Sequence, residues 1–284
     1  MSDSRGQKQA DGAEFDTVRA TARDGAPDRY VAALLAPHAV RDDLIALAAF
    51  SAEIEKIPRQ VSEPHLGEIR VQWWRDALLS LDTHTKTGHP VADAFVAAIL
   101  KHNLARDRIS DHLDAAVHAL YADPPADDAQ LHLELDMKDG VLFALAAQIS
   151  GGKPVDTSTG IIHDAARAYG LTRLAVGLPY ALARGRVPFP PALMSTVPSS
   201  SEPATWNAVI SSVAAAARRH LAQVRSAYSA QPTAIKTALL PVALVEPYLR
   251  ALTNPGHESA RDVADIAPLT RAWCIGKTHL TGRV

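Results

Sequence analysis

Cysteine is almost absent from this 284-residue chain. Cys274 stands alone, which excludes an internal disulfide, fits a reducing compartment and reads as a packed thiol rather than a nucleophile. No uninterrupted apolar run approaches the ~18–20 residues that a membrane-spanning helix needs. Neither sign of charge dominates: Lys and Arg number 29, Asp and Glu 31, for a formal net charge of -2. The electrostatic footprint of a nucleic-acid-binding protein is therefore missing. The opening stretch, MSDSRGQKQADGAEFD, lacks the apolar centre of a secretory signal. There is no P-loop, dinucleotide fingerprint or G-x-S-x-G elbow. The 12 histidines form no H-E-x-x-H and read as scattered surface residues. With 47% hydrophobic and 21% charged residues, the composition is that of an ordinary globular protein. Its length suits one domain with a large core.

What is present is helical periodicity without a visible β-period or internal repeat. Residues 1–24 are polar and aperiodic and are expected to form a disordered tail; the folded domain is expected to span 25–284. Helical patterns begin near Asp28 and are interrupted at Pro37, at Pro58, and from Leu81 to Gly88. Further breaks fall at Asp123-Pro124-Pro125, Gly151-Gly152, Pro198 to Ser201 and Asn254-Pro255-Gly256. A long helix is expected from Asp156 to Ala183. Its glycines (Gly160, Gly170, Gly177), each costing roughly 1 kcal/mol relative to alanine, suggest close helix approach or a bent, cavity-lining helix. Further helices are expected from Pro203 to Tyr228, Pro232 to Leu252 and Pro268 to His279.

The stretch from Ala46 to Leu81 organises the rest. Its first helix should end or kink at Pro58. Ser62 can cap the second, and Pro64 suits a first helical turn. Trp73 and Trp74 point about 100° apart on a helix, so one should pack inward while the other braces a neighbour. The run VSEPHLGEIRVQWWRDAL, with Phe50 to Ile57 before it, resembles the squalene/phytoene synthase family. Leu113-Asp114 through Tyr121-Ala122-Asp123-Pro124, and Arg184-Gly185-Arg186 with its R-G-R-x-x-L-P-like continuation, extend the resemblance. It implies an all-α fold: an isoprenoid-synthase-type helical bundle around a central apolar cavity. In catalytic members two Asp-rich helices face each other there, and their carboxylates hold Mg²⁺ on an isoprenyl diphosphate.

Alignment on Phe50 places the first motif at Glu55-Lys56-Ile57-Pro58-Arg59. Carboxylates at i and i+4 share a helix face, but here Arg59 replaces the second one and is expected to pair with Glu55. Glu53, at i+2 spacing, points away. Alignment backward from Arg184 places the second motif at Gly177-Leu178-Pro179-Tyr180-Ala181, where neither Gly177 nor Ala181 has a side-chain oxygen. Arg173 stands where the family has an Asn, and Asp28-Arg29-Tyr30 where it has Ser-Phe-Tyr. No catalytic residue and no metal ligand is assigned. Substrate-binding candidates are Tyr30, Arg41, Glu53, Glu55, Arg70, Arg173, Arg184 and Arg186, since arginines can grip phosphate directly; the blander reading makes the arginines surface or interhelical ion pairs.

The expected function is thus a squalene/phytoene-synthase-like protein with dismantled motifs, non-catalytic and without a cofactor. Within the family it resembles a mitochondrial assembly factor for respiratory complex I, which implies isoprenoid-lipid binding or complex I assembly. A partner in a membrane complex is then expected, with a location that is cytoplasmic or peripheral to the inner membrane. The alternative is an active transferase joining farnesyl or geranylgeranyl diphosphates head-to-head with Mg²⁺. A soluble prenyl-lipid carrier is the third reading.

Overall fold

A computed structural model describes residues 3–79, 86–121, 123–155, 160–194 and 203–284, with the side chains of 3–11, 194 and 203–205 left aside. Helices alone make up its regular structure among those residues. In chain order they are α1 (Asp3–Gly25), α2 (Pro27–Leu34), α3 (His38–Gln60), α4 (Pro64–Leu79), α5 (Pro90–His102), α6 (Arg106–His118), α7 (Asp128–Leu135), α8 (Val141–Gly151), α9 (Gly160–Val176), α10 (Leu178–Leu182), α11 (Pro191–Met194), α12 (Pro203–Tyr228), α13 (Thr233–Ala238), α14 (Val245–Leu252) and α15 (Pro268–Thr281). A single π-helical turn, Asp136–Gly140, joins α7 to α8, and a 3₁₀ turn, Leu240–Leu244, precedes α14.

Proline and small caps set many of these boundaries. Pro64, Pro90 and Pro268 each stand in a first helical turn, where a missing N–H costs nothing. Asp127 caps α7 by accepting from Gln130 N at 2.8 Å. Pro58 does not end α3, which runs two residues further to Gln60. The long helix expected from Asp156 stops at Val176; Gly177 makes a turn before α10, and 156–159 lie outside the described residues. The loop expected at Leu81 to Gly88 falls largely outside them too, as does the whole of Pro198 to Ser201.

The N-terminal segment corrects the expectation of a disordered tail. It is α1, and Val18 and Ala22 are buried in the core it shares with α3. Val18 and Ala22, four apart on one face, dock this mostly polar helix, with Phe15 packed partly buried beside them. At its end, Gly25 lies so close to Ala52 that an added Cβ would sit 2.5 Å from that of Ala52.

One apolar cluster joins α1 and α3 to α4, α5, α6 and α8. Phe50 is its hub, stacked on Phe95 at 4.5 Å with Trp74 edge-on at 5.6 Å. A second cluster joins α7, α9, α12 and α14. Trp74 is 5% exposed and Trp73 42%, so one indole does pack inward. The two rings nevertheless touch, edge-on at 5.2 Å, and both lean on His89. The remainder of the tryptophan-containing run ties α4 to α6. Arg75 donates to Ser110 and, at 2.6 Å, to Asp114; Tyr121 donates to Glu68. Gly67 admits Leu120 against the helix backbone, where a Cβ would meet its Cδ2 at 2.3 Å. Trp74→Ala is expected to cost roughly 3–5 kcal/mol, as large-to-small core changes do, and Trp73→Ala clearly less. Urea denaturation of the two variants checks this; equal losses would contradict the packing described.

Candidate functional site

The C-terminal end of α3, the π turn and the α9–α10 junction enclose a cavity of about 210 Å³. Its walls carry Glu55, Arg59, Lys138, Arg173, Gly177, Ala181, Arg184 and Arg186, with Pro58, Leu174 and Tyr180 between them. Residues from both ends of the sequence alignment thus share one space. Of the other candidates named from the sequence, Tyr30 packs partly buried against the first apolar cluster. Arg41 donates to Ala36 O at 3.1 Å, and Arg70 to Gln60 at 3.2 Å. Glu53 is taken up by Lys56 at 2.5 Å. None of these four lines the cavity.

Glu55 supplies the one carboxylate among those lining residues. Its expected partner was Arg59; its actual partner is Arg173, 118 residues away, at 3.2 Å. Arg59 stays exposed at the cavity wall without a bond to Glu55, and its carbonyl accepts from Arg184 at 2.9 Å. The i, i+4 spacing made the Arg59 pair available, but α9 brings a second guanidinium to a more buried position. Burial pushes the Glu55 carboxyl up, yet Lys138, Arg173, Arg29 and Arg59 outweigh it and hold its pKa at about 2. Glu55 is therefore ionised and committed. Arg173 is pulled down by burial, but the neighbouring Tyr169, Glu55 and Asp28 raise it well above its ordinary value.

Arg184 and Arg186 bond backbone carbonyls. Arg186 donates to Ala119 O at 2.5 Å and Leu120 O at 2.7 Å, fastening the turn after α10 to the end of α6. Each keeps further N–H donors of its fork for another acceptor. Lys138, which sequence reasoning missed, enters the cavity from the π turn. Such a turn inserts one residue and re-aims those around it, an event with no sequence period to announce it.

Behind the cavity lies a buried polar chain. Asp28, 1% exposed, accepts from Tyr169 OH at 3.0 Å, Tyr248 OH at 3.2 Å and Arg271 Nε at 2.8 Å. Arg29 bonds Asp139 at 2.6 Å and lies over the rings of Phe143 and Tyr169. Burial raises the Asp139 carboxyl against the pull of Arg29. Asp28 and Arg29, read from the sequence only as departures from a family motif, are the hub and spoke of this network.

His112 is the second residue the sequence did not single out. It is buried beside Phe50, with Nδ1 at 3.1 Å from Lys138 O and Nε2 without a partner. Burial, helped by Lys138, lowers its pKa to about 4. A group whose folded pKa lies below its ordinary 6.5 contributes stability that is complete above that value and is lost as pH falls toward 4. The loss is worth roughly 3 kcal/mol. His112→Asn, which keeps a short donor but does not titrate, should flatten the stability curve over that window. Urea midpoints of parent and variant near pH 7 and near pH 4 test this; parallel curves would refute it.

The helical architecture, with a cavity between the end of α3 and the α9–α10 turn, defines an isoprenoid-synthase-type fold. A squalene/phytoene synthase family profile matches residues 22–271, and the chain belongs to that family. Among solved structures, a dehydrosqualene synthase in complex with ligand aligns with a TM-score of 0.75 at 14% identity, over 95% of this chain and 96% of its own. Squalene synthase HpnC from Alicyclobacillus acidocaldarius aligns at 0.65 and 15%, over 84% and 93%. Among relatives by sequence, NADH dehydrogenase (ubiquinone) complex I, assembly factor 6, of Bos taurus is 25% identical over 230 residues, 78% of this chain and 69% of the bovine one. Its Rattus norvegicus counterpart is 25% identical over 254 residues, 86% and 76%.

Proposed function

We propose that this protein does not run Mg²⁺-dependent head-to-head condensation. In this reading it holds an isoprenoid lipid or its diphosphate without turnover, in a role like that named for the complex I assembly factors it resembles. The observation that carries the reading is the charge inventory of the cavity: Arg59, Lys138, Arg173, Arg184 and Arg186 against Glu55 alone. Mg²⁺ calls for several oxygen ligands in near-octahedral array. One carboxylate already bonded to Arg173 is a poor donor set, and among the described residues no three His, Cys, Asp or Glu side chains converge as a metal site. The same surplus of cations suits a phosphate or diphosphate gripped directly by guanidinium forks.

The reading is tested with labelled farnesyl and geranylgeranyl diphosphate, incubated with and without Mg²⁺ and NADPH. The expected result is no condensation product under any condition, with diphosphate binding that survives chelation of divalent ions. A Mg²⁺-dependent hydrocarbon product would overturn it in favour of the transferase. Binding of the isoprenoid alcohol as tightly as the diphosphate would favour a carrier that uses apolar contacts alone.

A further inference from the structure

Helix α15 carries a second feature that the cavity does not use. At about 100° per residue, Leu269, Trp273, Gly276 and Leu280 fall within about 60° of one another. That stripe faces solvent: Leu269 is 84% exposed, Trp273 70% and Leu280 85%. Scattered single apolar residues on a surface need no explanation, but an ordered row on one helix face does. The opposite face is fixed to the body of the protein. Arg271 is bonded to Asp28 and Tyr248, Ile275 packs into the cluster around Leu244 and Tyr248, and Thr278 is buried. The stripe therefore points outward because the inward side is anchored, and no rotation of the helix can hide it.

The charges around the stripe select its occupant. From Ile266 to Val284 the chain contains no Asp or Glu, whereas Lys277 and Arg283 are exposed there. A protein partner could match an apolar row of any surrounding charge. A row of Trp and Leu flanked by free cations, with the exposed Asp265 at its N-terminal end held by Arg271 at 3.3 Å, is the pattern of a helix lying in a lipid headgroup layer. Tryptophan favours that boundary because its ring is apolar and its N–H stays wet. Cations beside it are drawn to anionic lipids. Among the described residues no helix is long and apolar enough to cross a membrane, so any attachment by these residues is lateral. We infer that the outer face of α15 docks this protein on an anionic membrane surface, with Leu269, Trp273 and Leu280 entering the headgroup region and Lys277 and Arg283 meeting lipid phosphates.

The inference stands apart from the proposed function, since it uses no residue of the cavity. It is tested by co-sedimentation of the full chain with phosphatidylcholine vesicles, with and without phosphatidylglycerol. The parent should partition onto the anionic vesicles, less so at high salt, and stay in solution with phosphatidylcholine alone. Leu269→Ser with Leu280→Ser should lower that partition on the order of tenfold or more, and Lys277→Glu should weaken it and reduce its dependence on salt. All these side chains are exposed, so circular dichroism and melting should match the parent. Unchanged sedimentation of the double serine variant would overturn the inference. So would concentration-dependent self-association of the parent that the double variant abolishes, which would make a second copy of the chain the occupant.

Discussion

Asp28→Ala should be the most damaging single substitution in the molecule. The change removes the acceptor for Arg271, Tyr169 and Tyr248 at once, and all three of those bonds are buried. Arg271 keeps Asp265 at 3.3 Å, but that carboxylate is largely exposed and compensates little in water. Breaking a buried ion pair by deleting one partner costs roughly 3–5 kcal/mol, and the stranded Tyr169 hydroxyl adds about 1–3, while Tyr248 keeps the bond it accepts from Arg271. For a domain with about 5–15 kcal/mol of stability, the expected result is a chain that is mostly unfolded or recovered only in low yield. Asp28→Leu paired with Arg271→Met should be milder, because two well-packed apolar residues leave no buried charge. Chemical denaturation of the single and double variants decides it. A single variant as stable as the parent would mean the network is ornamental.

The second large effect is a gain. Arg59→Asp, Gly177→Asp and Ala181→Asp would put carboxylates at the positions that the family resemblance assigns to its two acidic motifs. Arg173→Asn must accompany them, because Arg173 occupies Glu55 at 3.2 Å. The backbone permits the change at 177: Gly177 is right-handed helical, at φ -80 and ψ -4. An added Cβ would approach Arg173 O to 3.3 Å, a contact that a shift of a few tenths of an ångström relieves. The fourfold variant is expected to bind a non-hydrolysable farnesyl diphosphate analogue in a Mg²⁺-dependent way, while the parent binds it without regard to Mg²⁺. Calorimetry with and without chelator reads both. Tight, strictly Mg²⁺-dependent binding by the parent would sink the proposed function rather than the fold.

Much of the architecture was legible because helices announce themselves locally. The apolar spacing from Ala46 to Ile57, Pro64 opening α4 and Pro268 opening α15 each act within a few residues. The errors came where a local rule met a distant surface. Residues 1–24 looked disordered because their polar majority hides Phe15, Val18 and Ala22, which dock α1. Arg59 looked like the partner of Glu55 because it is one turn away, and Arg173 won because it is the more enclosed. The histidines looked like surface residues, whereas His112 is buried and His220 pairs with Asp164 at 2.8 Å. Gly170, flagged as a point of close approach, is one: an added Cβ there would come 2.7 Å from Leu135 Cδ2.

By itself, the amino-acid order determined the helical class and the family, and that Gly177 and Ala181 have no oxygen to offer a metal. Those are properties of single residues and of neighbours three or four apart, set by side-chain chemistry and the helical repeat. Tertiary structure decided which cation neutralises Glu55, that Lys138 reaches the same cavity, that Asp28 gathers Arg271 from 243 residues away, and which face of α15 is left in solvent. Such choices depend on which buried charges can find partners when whole helices pack. The energy that decides them is the cost of leaving a charge or polar group unpaired away from water, and no short window of sequence contains both partners.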